Sequence, residues 1–312
     1  MLFTRSTRKA SCSRLIMPAK SPKIAFFGTE DYSLDVLRAL VDNNFSIACV
    51  ITKPDSKRGR GHKLVEPPVK AFAKEHHIPV LQPQKVNEIA GYIKDLQPIT
   101  GVLVAYGKII PQSIIDLFYP GIINVHPSLL PKYRGPSPIE SAIINRDNET
   151  GVSIMKLDAQ MDAGPIYTQI HKKLSGAETK PQLYNELFSS GSELLISILP
   201  EIMSGALTPK AQNDADATYC KLLTKELSYI NPQTMTAAEA DAQVRAYLGF
   251  PRSRLKVNDT ELIITKAHAG ASSLSPLDVQ CADGNWLIID ELIAPASGKK
   301  MTAEAFLRGH QG

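Results

Sequence analysis

The chain has 312 residues, of which 43% are hydrophobic and 21% charged, a balance that excludes disordered, collagen-like and fibrous classes. At about 150 residues per domain this length predicts two globular domains. Apolar runs such as 99–107 fall well short of the roughly 20 residues that span a bilayer, so no membrane partner is expected.

The net charge of +4 is uneven along the chain, because Arg5, Arg8, Lys9, Arg14, Lys20 and Lys23 all precede the first acid, Glu30. The remainder is slightly negative, which argues against a generally basic nucleic-acid coat and confines any polyanion site to a local patch. Residues 1–22 read as a basic, disordered N-terminal extension; an organellar transit peptide and a later start at Met17 are the other readings. From Lys23 short apolar runs alternate with amphipathic segments, the pattern of βαβ units and a parallel sheet, over a first domain at 23–206. Strands are predicted at 23–28, 47–52, 99–106 and 121–125, with a strand pair at 152–157 and 166–170. Helices are predicted at 34–41, 67–76, 86–96, 114–117, 137–144 and 183–203. Residues 207–226 are polar and suit an exposed linker. A second domain at 227–312 opens with a helix at 237–248. Strand-like runs at 262–265, 277–281 and 286–289 then suggest a small barrel or sheet, with Trp286 as core. Cys12, Cys49, Cys220 and Cys281 form no C-x-x-C pair and read as free thiols in a reducing compartment.

The densest chemical signal is 124–140, NVHPSLLPKYRGPSPIE. Residues i and i+2 of a strand share a face, so Asn124 and His126 are predicted to project together near the carboxyl end of a buried strand, where ligands sit in open α/β sheets. An amide can donate to a developing oxyanion and an imidazole can move a proton near neutral pH, a pairing suited to acyl chemistry. The loop 157–165 carries Asp158 and Asp162, and either carboxylate could orient the histidine. No serine or cysteine stands out as a nucleophile, which favours direct transfer over a covalent enzyme intermediate. Residue types alone leave open a structural histidine beside a rigid, proline-containing loop. The seven histidines show no H-E-x-x-H pattern, and no metal is expected.

Five segments carry a family resemblance: FGTED at 27–31, TKPDSKRGRGHKL at 52–64, VAYGKIIP at 104–111, INVHPSLLPKYRGPSP at 123–138 and TGVSIMKLDAQMDAGP at 150–165. With them the chain resembles the 10-formyltetrahydrofolate-dependent formyltransferases, most closely the members that act on methionyl-tRNA. The resemblance implies a Rossmann-like, mostly parallel α/β domain followed by a small OB-like β-barrel that holds the tRNA acceptor arm. It implies a catalytic trio of Asn124, His126 and Asp162, and folate contacts from Ser128, Leu129, Leu130 and Pro131. It also implies 10-formyltetrahydrofolate as formyl-donor co-substrate, and initiator methionyl-tRNA as partner of a cytoplasmic monomer, or a mitochondrial matrix enzyme if residues 1–22 are a transit peptide. Pro127 stands where the family usually has glycine, and it removes a backbone donor.

The trio is shared by several acceptor classes. The loop 53–63 holds Lys53, Lys57, Arg58, Arg60 and Lys63 against Asp55 alone, with Gly59 and Gly61 for flexibility. Such a loop suits an acceptor stem, pairing with phosphates and single-stranded bases; the expected tRNA contacts are Lys57, Arg58, Arg60 and Lys63. A solvated mobile loop is the plainer reading of that composition. An amino-sugar nucleotide is the alternative acceptor, although it needs few such charges.

Overall fold

The computed structural model of the protein describes residues 23–58, 63–257, 260–295 and 297–309; the extension 1–22 and Arg60 lie outside them. The first domain runs β1 (Lys23–Gly28), α1 (Asp31–Asp42), β2 (Ser46–Ile51), β3 (Ser56–Arg58), β4 (Lys63–Val65), α2 (Pro68–Glu75) and β5 (Val80–Leu81). A 3-10 turn (Val86–Ile89) then leads into α3 (Ala90–Leu96), β6 (Ile99–Val104), α4 (Gln112–Ile115), β7 (Ile122–His126) and α5 (Pro138–Ile144). The domain closes with β8 (Glu149–Lys156), β9 (Ile166–Lys173) and α6 (Lys180–Ser204). Seven strands form one sheet in the order β5-β2-β1-β6-β7-β8-β9. Pairing is parallel from β5 to β7 and antiparallel at β7–β8 and β8–β9, so β8 alone runs against the others.

Near-continuous apolar strands bury both faces, as a parallel sheet requires. One face packs Ile24, Phe26, Val102, Val104, Ile123 and Val125 under α1, α2, α5 and α6. The other packs Ala25, Phe27, Ile51, Ile99 and Ile122 under α3 and α4. Helix α6 begins at a capping box of Thr179 and Gln182 and ends where Gly205 takes a left-handed φ of 77°. Its buried Leu183, Leu187, Leu195 and Leu199 are each worth about 1.5–3 kcal/mol of burial, which clamps the sheet from behind.

The second domain contains α7 (Ala237–Ala246), β10 (Ser253–Val257), β11 (Thr260–Gly270), β12 (Val279–Gln280), β13 (Trp286–Ile293), β14 (Lys300–Thr302) and α8 (Ala303–Arg308). Its strands make a curled antiparallel half-barrel in which β11 lies between β10 and β13, and both β12 and β14 pair the far side of β13. Two register shifts near Lys266 bend β11 over a core of Leu255, Leu262, Ile264, Leu287, Ile289 and Phe306. Trp286, expected in that core, is only half-buried. Sequence periodicity also missed β10, β14 and α8, which are too short to show a period. No helix among the described residues is long and apolar enough to cross a membrane.

Candidate active site

In β7 the alternation of side chains places Ile123 and Val125 under α6, so Asn124 and His126 face the opposite side with Ile122. Beyond Ile122 that face is covered by loops, and both polar residues are buried, at 6% and 5% exposure. Strand β7 is where the sheet passes from parallel to antiparallel pairing. The loop 157–165 folds back from β8 onto this face. Gly164 permits it, since a Cβ there would lie 2.0 Å from the Lys156 carbonyl oxygen.

The loop brings Asp162 to the pair. Asn124 Nδ2 donates to Asp162 Oδ1 at 3.5 Å, and His126 Nδ1 stands 3.7 Å from Asp162 Oδ2. Asp158 is not part of the cluster; it accepts from the Gln160 backbone N–H in a local turn. The other imidazole nitrogen, Nε2, lies 3.0 Å from the Tyr133 carbonyl oxygen, which only accepts, so Nε2 carries a hydrogen and Nδ1 faces the carboxylate. The ring is therefore oriented by a backbone carbonyl as well as by Asp162. Asp162 Oδ2 accepts from Gly135 N–H at 2.8 Å. Asp162 itself has a φ of +49°, a left-handed conformation that aspartate tolerates better than most residues.

The segment Ser128 to Pro131 runs beside the trio with its four side chains divided. Ser128 and Leu130 are buried: the Ser128 hydroxyl donates to Lys132 O at 2.6 Å, and Ser153 and Gln169 hold the backbone at Ser128 O, Leu130 N and Leu130 O. Leu129 and Pro131 are half-buried and are the two side chains left with accessible surface. Pro127 fits because Ser128 N–H bonds back to His126 O at 2.9 Å, a tight turn that asks nothing of the residue between. Nothing in this donor set conflicts with a folate bearing a formyl group, and Asn124 holds its amide at the long limit of a hydrogen bond.

The described residues at either end of the basic loop pair as a two-stranded ribbon of β3 and β4, from Ser56↔Val65 to Arg58↔Lys63, while Gly59 and Gly61, on which the expected flexibility rests, lie outside the described residues. The side chains of Lys57, Arg58 and Lys63, and all of Arg60, lie outside the described residues. At the ribbon's base Asp55 bonds to Lys70 Nζ at 2.7 Å and to Gln82 Nε2 at 2.8 Å, and Lys70 holds its carboxyl below the ordinary range. Among the described residues no group of three or more His, Cys, Asp or Glu could hold a metal ion.

Sequence reasoning missed Tyr133 and Gly135, which contact the trio through their own backbone atoms, and Gln212, whose side-chain amide donates to the Asp162 backbone carbonyl. Tyr133 and Gly135 lie inside the quoted motif; Gln212 lies in a polar stretch with no motif at all.

The fold agrees with comparisons to known proteins. The family model for "Formyl transferase" matches residues 22–199 and that for "Formyl transferase, C-terminal domain" matches 222–311. The chain is 35% identical over 300 residues to the methionyl-tRNA formyltransferase of Halorhodospira halophila, covering 93% of this chain and 96% of that one. It is 36% identical over 303 residues to that of a Sulfurihydrogenibium species, covering 93% and 97%. In fold it resembles an N-formyltransferase from Helicobacter canadensis, solved with folinic acid and dTDP-3-aminofucose. There the TM-score is 0.67, the identity 20%, and the coverage 86% of this chain and 98% of that one. HypX from Aquifex aeolicus, solved with tetrahydrofolic acid, gives a TM-score of 0.65 at 14% identity over 92% of this chain and 47% of that one. With both domain models matched in order and full-length relatives above 30% identity, the chain belongs to the formyltransferase family.

Proposed function

We propose that this protein transfers the formyl group of 10-formyltetrahydrofolate to the α-amino group of methionyl-tRNA, the initiator form above all. The observation that carries the chemistry is the buried cluster of Asn124, His126 and Asp162, with contacts of 3.5 and 3.7 Å that leave donor capacity unused. The acceptor rests on the two relatives named above, whose names specify methionyl-tRNA, and on the basic ribbon.

When bound, the folate supplies the activated formyl carbon, and the protein's residues do the rest. The attacking amine has an ordinary pKa of about 7.7–8.0, so part of it is neutral and nucleophilic at pH 7 without a strong base. Asn124 Nδ2, with one long contact to Asp162 Oδ1, has a second N–H to offer the formyl oxygen as charge collects there. An amide fixed before the reaction stabilises that charge without reorganising, and one such donor is typically worth about 3–4 kcal/mol of barrier. As the amine bonds to the formyl carbon and the bond from that carbon to the folate nitrogen breaks, His126 Nδ1, facing Asp162, is the ring nitrogen able to take the amine proton and pass it to the departing nitrogen, while Tyr133 O keeps Nε2 from competing. Asp162 balances the imidazolium charge. Leu129 and Pro131 offer apolar contact to the folate, and Lys57, Arg58, Arg60 and Lys63 pair with tRNA phosphates. The same reading places a monomer in the cytoplasm, or in the mitochondrial matrix if residues 1–22 direct import.

The test is transfer of labelled formyl from 10-formyltetrahydrofolate to initiator methionyl-tRNA, with elongator methionyl-tRNA and an amino-sugar nucleotide as parallel acceptors. Labelled formylmethionyl-tRNA as the favoured product supports the reading. Preference for the sugar would keep the trio and discard the acceptor.

A further inference from the structure

The polar segment between the domains is exposed in most of its side chains but is not loose. Its backbone is sewn to both loops that build the site. On one side Lys210 exchanges two hydrogen bonds with Ile166, at the exit of the loop that carries Asp162. On the other, Thr218 O accepts from Arg134 N–H and Cys220 N–H bonds to Arg134 O, each at 2.9 Å, beside the Gly135 N–H that holds Asp162 Oδ2. The fit at Gly135 is tight: its φ is +122°, and a Cβ there would lie 2.6 Å from the Cys220 carbonyl oxygen.

Between these two seams Gln212 makes four contacts. Its Oε1 accepts from Arg134 Nε at 3.0 Å and Nη2 at 2.9 Å, and its Nε2 donates to Asp162 O at 2.8 Å and Gly164 O at 2.7 Å. Arg134 is 2% exposed and is further held by Asp214 Oδ1 at 2.7 Å and the Tyr219 hydroxyl at 3.2 Å. A buried guanidinium with several partners has one orientation, so the Gln212 amide has one orientation, and its N–H groups meet the carbonyl of the residue in the left-handed conformation. Asp162 is thus gripped twice, at its carboxylate by Gly135 and at its backbone by Gln212.

We propose that Gln212, oriented by Arg134, is a positioning residue for Asp162, so that the interdomain segment sets the carboxylate against His126. This rests on the role given to Asp162 above. Displacement of a reacting group by about 1 Å can cost 100-fold in rate. Gln212→Glu keeps an acceptor for Arg134 and removes both donors to the Asp162 loop. It is expected to lower kcat 10- to 100-fold, with KM for tRNA and for folate within threefold of wild type, and the ion pair gained with Arg134 offsets part of the stability lost with the two hydrogen bonds. Gln212→Met, which removes both halves of the bridge, should show the same kcat defect with some loss of stability. Asp216→Ala, in the same segment but with its carboxylate accepting from Asn213 Nδ2 away from the bridge, should change kcat less than threefold. Asp162→Asn is measured in parallel, and adding Gln212→Glu to it should cost nothing further. If Asp162→Asn turns over like wild type, the reading of the trio falls and the positioning role with it. If Asp162→Asn is inactive while both Gln212 variants keep wild-type kcat, the positioning role alone is overturned. A raised KM for tRNA with kcat intact would also overturn it, since the segment would then only hold the second domain in place.

Discussion

Two buried polar clusters lie in the first domain, and their geometry separates a site from a lock. At Asn124, His126 and Asp162 the contacts within the trio are 3.5 and 3.7 Å. At Glu140 and Lys180 a carboxylate only 4% exposed meets an ammonium at 2.8 Å, and Lys180 Nζ also reaches Phe250 O in the second domain at 3.2 Å. The tight cluster ties α5, α6 and the second domain together, and Tyr184 closes it with a hydroxyl 3.4 Å from Glu140 Oε1. Burial, and then the charge of Glu140, drive the Tyr184 phenol well above its ordinary range, so it stays neutral. The Glu140–Lys180 pair neutralises its charge internally, although Glu140 Oε2 has no hydrogen-bond partner; the trio holds its donors at long range and has capacity left for a substrate.

That contrast is open to attack from both ends. The largest effect is expected at the loose cluster: His126→Ala and Asp162→Ala should lower kcat at least 1,000-fold, and Asn124→Ala about 100- to 1,000-fold, in single-turnover formyl transfer, with tRNA binding retained. At the tight cluster the split should reverse. Lys180→Met strands the Glu140 carboxylate, which should cost about 3 kcal/mol in urea unfolding and leave kcat unchanged at a permissive temperature. A rate loss at Lys180 without destabilisation would erase the distinction. Arg60→Ala should narrow the preference for initiator over elongator tRNA several-fold, read as the ratio of kcat/KM values; an unchanged ratio would remove the ribbon from recognition. The smallest effect concerns pH. Burial pushes the Cys49 thiol and the Tyr106 phenol each up to about 12. An unfolded thiol ionises near about 8.5, so above that pH the native state binds more protons than the unfolded one and stability falls as pH rises toward 12. Cys49→Ala should flatten the decline in urea midpoint between about pH 9 and 11.

Most of the first domain was readable because buried parallel strands and amphipathic helices repeat at two distinct periods. The predicted strand at 121–125 and the long helix at 183–203 differ from β7 and α6 by at most three residues at either end. The pairing of Asn124 with His126 followed from the same alternation. Which aspartate joins them did not follow from periodicity, because Asp158 and Asp162 sit in one irregular loop where no period applies; the family motif alone pointed to Asp162. The second domain was read as a small barrel or sheet, but its strand order was not, since β12 and β14 have two and three residues and take their place from pairing with β13.

The amino-acid sequence alone carried the α/β alternation, the shared face of Asn124 and His126, and the family motifs, all of them local in the chain. Tertiary structure decided what depends on distant segments meeting. It turned His126 by the Tyr133 carbonyl and brought Asp162, the aspartate that the family motif points to, against the pair while leaving Asp158 in a local turn. It also sewed a polar interdomain stretch to both loops of the site through Arg134 and Gln212, 78 residues apart. Composition reads that stretch as a free linker because its side chains are polar; its backbone hydrogen bonds and one bridging amide are set by partners that no local pattern reveals.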